Sequence, residues 1–103
     1  MTEYRRCFRR PDTIYATCED DRASTDIDLE MDQLDEDAGH RVSADVLALW
    51  GSKGTVGKLW DVLEVWCRHA HTTVTGRSLN AGHHLPEEQP DEVLNELNIF
   101  FDA

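Results

Sequence analysis

The chain has 103 residues, enough for one small domain with a thin core. Its 40 % apolar and 30 % charged side chains are an ordinary globular balance, and no apolar run reaches the roughly 18 residues of a membrane span. The formal net charge of −11 argues against nucleic acid and anionic membranes as partners.

That charge is unevenly placed. Arg5, Arg6, Arg9 and Arg10 make the start of the chain basic, whereas Glu19 to Asp37 holds ten acidic residues and one basic residue, Arg22. A solvated acidic face is the preferred reading of this block, and capture of a basic partner the alternative. No apolar stretch follows Met1-Thr2-Glu3-Tyr4, so no secretory signal is expected and a cytoplasmic location is the default. Cys7, Cys18 and Cys67 have no C-x-x-C spacing, and an odd count closes no disulfide set, so buried or idle thiols are expected.

Thr2 is a candidate cap for a first helix ending near Arg9-Arg10, and Pro11-Asp12 breaks it. Asp12 or Thr13 then caps a second helix with Ile14, Tyr15 and Cys18 on one side. Residues 26–32 alternate like a strand, yet Ile27, Met31, Leu34 and Ala38 recur at helical spacing. The acidic, glycine-free surroundings favour a helix with Gly39 as its C-cap.

Val46-Leu47-Ala48-Leu49-Trp50, ended by Gly51, reads as a strand buried on both faces of a parallel sheet. Ser52 to Gly57 reads as a loop. Leu59, Val62, Leu63 and Trp66 form the stripe of an amphipathic helix. The β-branched run Thr72-Thr73-Val74-Thr75 predicts a second strand, broken at Asn80-Ala81-Gly82-His83. Pro90 suits the first turn of a last helix, whose stripe is Val93, Leu94, Leu97, Phe100 and Phe101. Strand, helix, strand, helix is half of a doubly wound α/β sheet, and such a half asks for strands that this chain does not supply.

Four constellations could carry chemistry. Gly82-His83 follows a strand and precedes the Pro86-Glu87-Glu88 helix entry, where a glycine lets the loop turn and the imidazole swing over the strand ends as a general base. An exposed loop histidine is the plain alternative. His69, His71, His83 and His84 lack metal-ligand spacing, so no metal is expected. Asp26, Asp28, Glu30 and Asp32 carry half of a calcium-loop pattern, with Met31 where glycine is needed. Gly51 to Gly57 is glycine-rich but matches no phosphate-loop spacing.

Taken together, Cys18-Glu19-Asp20, Arg22-Ala23, Asp28-Leu29-Glu30, Asp32 and Ala38-Gly39 resemble the end of the cap in haloacetate dehalogenases, the fluoroacetate dehalogenase-type α/β-hydrolases. Leu47 to Gly51, Val62 with Val65-Trp66, and Gly82-His83 followed by Leu85-Pro86-Glu87-Glu88 and Pro90-Asp91 resemble their last core elements. The resemblance implies an α/β class, a partial α/β-hydrolase fold, with residues 1–41 as the end of the helical cap and residues 42–103 as the C-terminal part of the core. It implies hydrolytic carbon–halogen cleavage through an Asp ester, with His83 as the base that activates water. The family's Gly-His-Asp-Arg-Gly nucleophile elbow does not occur in this sequence, so a truncated and inactive relative is expected, without cofactor.

Alternatives are a subunit of a split hydrolase, taking a small haloacid only when another chain completes it, and a non-catalytic acidic interaction module. An exposed sheet edge would favour a homo-oligomer. Two departures stand out. Asp21 occupies the place of a tyrosine that helps hold the leaving halide, and His84 occupies the place of a phenylalanine. Gly54 lies where many α/β-hydrolases put the triad acid, whereas this branch keeps its acid on an earlier strand.

Overall fold

The computed structural model describes residues 1–102. In chain order the elements are α1 (Thr2–Phe8), α2 (Pro11–Ala23), α3 (Ile27–Asp37), β1 (Val46–Gly51), α4 (Val56–Leu59), α5 (Val62–His69), β2 (Val74–Leu79), α6 (Leu85–Glu88) and α7 (Pro90–Asp102). They group into two compact units, Met1–His40 and Arg41–Ala103.

The first unit is helical. Thr2 is the first helical residue of α1 rather than its cap, and Met1 holds the cap position without a side-chain bond. Pro11 opens α2 because its missing N–H falls among the donors that a first turn leaves unbonded. The expected cap, Asp12, therefore lies inside that turn. It accepts from the Thr13 amide at 3.0 Å and pairs with Arg10 at 2.7 Å. The Arg10 guanidinium holds the Asp12 carboxyl below the usual carboxylate range. The ambiguous acidic stretch is a helix, and Gly39 follows its end in the left-handed region at φ +73°, one residue beyond the Ala38 cap. No described residue of α1, α2 or α3 is buried, and Ile14, Ile27, Leu29 and Leu34 all face solvent.

The second unit is built on a two-stranded parallel sheet. β1 and β2 pair from Val46 opposite Val74 to Gly51 opposite Leu79. Upstream, an isolated bridge joins Val42 to Ala70, and Thr72 Oγ1 donates to the Ala44 carbonyl at 2.5 Å. Gly76 makes the pairing possible. Its φ of +149° suits glycine, and a Cβ there would run into the carbonyl of its partner, Ala48. The sheet's core is small: Ala48, Val62, Leu79 and Ala81, with Leu79 1 % exposed. A fully buried leucine contributes about 2 kcal/mol, so such a core leaves little reserve.

Two expectations change here. β1 is not buried on both faces: Val46, Leu47, Leu49 and Trp50 are half-buried, and open grooves run along β1, one lined with α5 residues and one with α7 residues. The predicted stripe from Leu59 to Trp66 is divided between α4 and α5. Asp61 interrupts it, its carboxylate accepting from the Glu64 amide at 3.1 Å as the N-cap of α5. β2 is anchored to α7 by Arg77, whose guanidinium donates to Glu96 at 2.6 Å and to Glu92 at 3.2 Å. The Glu96 bond is the main reason its pKa is raised. α7 keeps Val93 and Phe100 half-buried and leaves Leu94, Leu97 and Phe101 exposed. Cys7, Cys18 and Cys67 are free and exposed, not buried. No helix among the described residues is long and apolar enough to cross a membrane.

Candidate functional site

Because β1 and β2 are parallel, their carboxyl ends fall at the same edge of the sheet, and the loops leaving them meet. Ser52 N–H donates to the Leu79 carbonyl at 2.8 Å, and Lys53 N–H donates to the Ala81 carbonyl at 3.0 Å. This is the edge at which open α/β sheets bind their ligands.

The loop after β2 presses directly on the end of β1. The Gly82 carbonyl occupies the space in which a side chain at Gly51 would begin, so only glycine fits at the last residue of β1. His83 comes next and is exposed. Its ring meets that of His84 edge-on, with centroids 4.9 Å apart and planes at 81°. On the far side, His84 N–H donates to Glu88 Oε2 at 3.2 Å, and Gln89 Nε2 donates to the Asn80 carbonyl at 3.0 Å. The loop is thus tied at both ends to the helix turns that follow it. His83, Gly82 and Leu85 help line an open groove of about 710 Å³, together with Leu47, Leu49 and Trp50 of β1 and Val62 and Trp66 of α5. The arrangement offers a solvent-reachable imidazole beside an apolar trough.

The other candidate residues lie elsewhere. His69 ends α5 and His71 lies in the turn before β2, and no three His, Cys, Asp or Glu side chains gather into a metal-holding group among the described residues. Asp28, Glu30 and Asp32 lie within α3 and Asp26 caps it, so these residues are helical rather than an ion-wrapping loop. Ser52 to Thr55 is a tight turn, with Gly54 N–H donating to the Gly51 carbonyl at 3.1 Å, and the next residues enter α4. A Cβ at Gly54 would lie 3.7 Å from the Gly82 oxygen, so position 54 adjoins the histidine loop but brings no carboxylate to it. Asp61, the first acid after β1, is engaged as a helix cap. Asp21 is exposed on α2. The sequence places Glu88 in the helix entry after His83, but its contact with the Gly82–His84 backbone, and that of Gly51 with Gly82, come from the structure. Their signals were a glycine closing an apolar run and an acid four residues after His84.

No family model matches the chain. A fluoroacetate dehalogenase of Burkholderia sp is 32 % identical over 100 residues, which is 97 % of this chain and 32 % of that protein. Among solved structures, a candidate α/β-hydrolase from Nostoc sp PCC 7120 superposes with a TM-score of 0.88 at 48 % identity, over 97 % of this chain and 33 % of its own. This is a partial α/β-hydrolase fold. A candidate acyltransferase from Salmonella enterica gives the same TM-score at 39 % identity, over 98 % of this chain and 33 % of its own. The chain therefore spans about a third of the length of the proteins it matches, and it resembles the C-terminal part of a fluoroacetate dehalogenase-type α/β-hydrolase. The order of its second unit, each strand followed by two helices, and the unpartnered edge of β1 among the described residues are what such a partial hydrolase fold looks like when taken alone.

Proposed function

We propose that the chain is a catalytically incomplete relative of the haloacetate dehalogenases, with the end of the helical cap in residues 1–41, the last core elements in residues 42–103, and His83 as the general base. The supporting observation is the position of His83, exposed just beyond the carboxyl end of β2 and beside the end of β1. In the complete reaction an aspartate from elsewhere displaces halide from carbon and forms an alkyl ester. His83 then takes a proton from water as the water oxygen bonds to the ester carbonyl. The carbonyl carbon's bond to the alkoxy oxygen breaks, the alkoxide takes the proton back from the His83 imidazolium and leaves as the hydroxy acid, and the second proton of the water passes to solvent as the aspartate carboxylate is regenerated. Asp21, standing where the family has a halide-holding tyrosine, would repel the departing halide.

The decisive assay is halide release from fluoroacetate and chloroacetate by the purified 103-residue chain. No release above buffer is expected; turnover would overturn the reading. Because one structural neighbour is described as a candidate acyltransferase, an ester substrate is assayed in parallel, since a histidine base serves a serine nucleophile equally well.

A second reading, a subunit of a split hydrolase, is favoured by the open edge of β1. Val46 N–H and Ser52 N–H both point to β2, so the intervening residues of odd number, Leu47 and Leu49, turn their peptide groups the other way. A partner strand could pair there. A neighbouring reading frame with a Gly-His-Asp-Arg-Gly elbow is expected under this reading, and its absence from the flanking DNA ends it.

A further inference from the structure

Glu88 touches the backbone on both sides of His83. Its Oε2 accepts from His84 N–H at 3.2 Å, and a Cβ built on Gly82 would lie 3.1 and 3.2 Å from its two carboxylate oxygens. The carboxylate therefore rests against the Gly82 α-carbon while it holds the His84 amide. Gly82 is in turn pressed against the end of β1 by the Gly51 contact. The residue carrying the imidazole is thus bracketed between two fixed points, one on β1 and one on α6.

We propose that Glu88 is a positioning residue, whose carboxylate locks the Gly82–His84 backbone and so sets the direction of the His83 imidazole; this rests on the reading of His83 as the base. Two consequences distinguish the proposal from a general stabilising role. The contact needs an acceptor at the end of a side chain of this reach, so Glu88→Gln preserves it through the amide oxygen and Glu88→Ala removes it. The contact also needs an empty Gly82 α-carbon. A methyl group there would lie 3.1 and 3.2 Å from the two carboxylate oxygens, so in Gly82→Ala the carboxylate must shift by a few tenths of an ångström and its bond to His84 N–H weakens, an effect that disappears once Glu88 is alanine. The two substitutions should be strongly non-additive.

The test uses the full chain and reads the loop directly rather than turnover, so it stands apart from the halide assay. Amide hydrogen exchange at His84 and the imidazole C–H resonances of His83 are measured in the parent, E88A, E88Q, G82A and the double variant. Expected are exchange at His84 at least about tenfold faster in E88A, in proportion to one lost hydrogen bond to a charged group, displaced His83 resonances, parent-like values in E88Q, and a G82A effect that shrinks in the double variant. Unchanged His83 resonances and His84 exchange in E88A, or fully additive effects, would overturn the proposal. If E88A unfolds, Glu88→Asp decides, because it withdraws the carboxylate by one methylene and leaves Gly82 and His84 unchanged: faster His84 exchange with displaced His83 resonances is expected, and parent-like values overturn the proposal. A null halide assay bears on the reaction and leaves this result standing.

Discussion

The carbonyl oxygen of Gly82 lies where a side chain on Gly51 would start, so the last residue of β1 dictates the path of the backbone that carries His83. The neighbour is main chain and cannot rotate away. Gly51→Ala is therefore expected to push the loop off the strand and to cost about 1–3 kcal/mol of overpacking. Urea unfolding followed by circular dichroism measures the loss, and amide shifts confined to residues 80–84 locate it. A parent-like midpoint would count against the contact.

Gly76→Ala is expected to be worse. It adds strain at a φ of +149° to a collision with the Ala48 carbonyl in the middle of the parallel pair. The two penalties together come to about 2–5 kcal/mol, against a small core of Ala48, Val62, Leu79 and Ala81. Loss of cooperative unfolding in the second unit is the expected readout.

Asp12 makes the start of α2 sensitive to acid. Its folded pKa is depressed, chiefly by the Arg10 hydrogen bond. The stability it contributes is therefore present above the ordinary carboxylate pKa and is lost as pH falls through the lowered value. Helical shifts of residues 11–15 should weaken in that acid window. Asp12→Asn should remove the dependence, and unchanged acid sensitivity in that variant would refute the assignment.

Arg77→Gln should loosen α7, since one guanidinium holds both Glu92 and Glu96. Amide exchange around Glu92 to Glu96 should accelerate, and molar salt should produce part of the same effect in the parent, because the Arg77–Glu92 pair is solvent-accessible. Salt-insensitive exchange would contradict it.

The open edge of β1 is expected to drive concentration-dependent self-association of the isolated chain. Leu49→Pro tests this without breaking the β1–β2 ladder, because the amide it deletes faces away from β2. Size-exclusion chromatography should show the variant eluting later than the parent at high concentration. Identical elution would exclude edge pairing as the cause.

Local pattern sufficed for much of the chain. The apolar run before Gly51, the β-branched run before Asn80, the helical recurrence of Ile27, Met31 and Leu34, and Pro90 at the start of α7 all placed their elements, because each signal lies within a few neighbouring residues. The Gly82-His83 pair following a strand likewise marked the candidate loop. What local pattern could not reveal was which distant atoms come level when the two strands pair. The Gly51–Gly82 approach, the Gly76–Ala48 fit, the Arg77 clamp on α7 and the half-covered state of β1 all depend on register and on neighbouring elements. The division of one expected stripe into α4 and α5 came from a single side chain, Asp61, bonding its own helix start in preference to a continuous helix. Sequence by itself determined the kind of most elements and their main order, though not the break between α4 and α5 or the start of α4 within the stretch read as loop, since helix and strand periodicity are properties of a short stretch. Tertiary structure alone decided how the His83 loop is held, since steric exclusion between backbones far apart in the chain exists only once they are brought together.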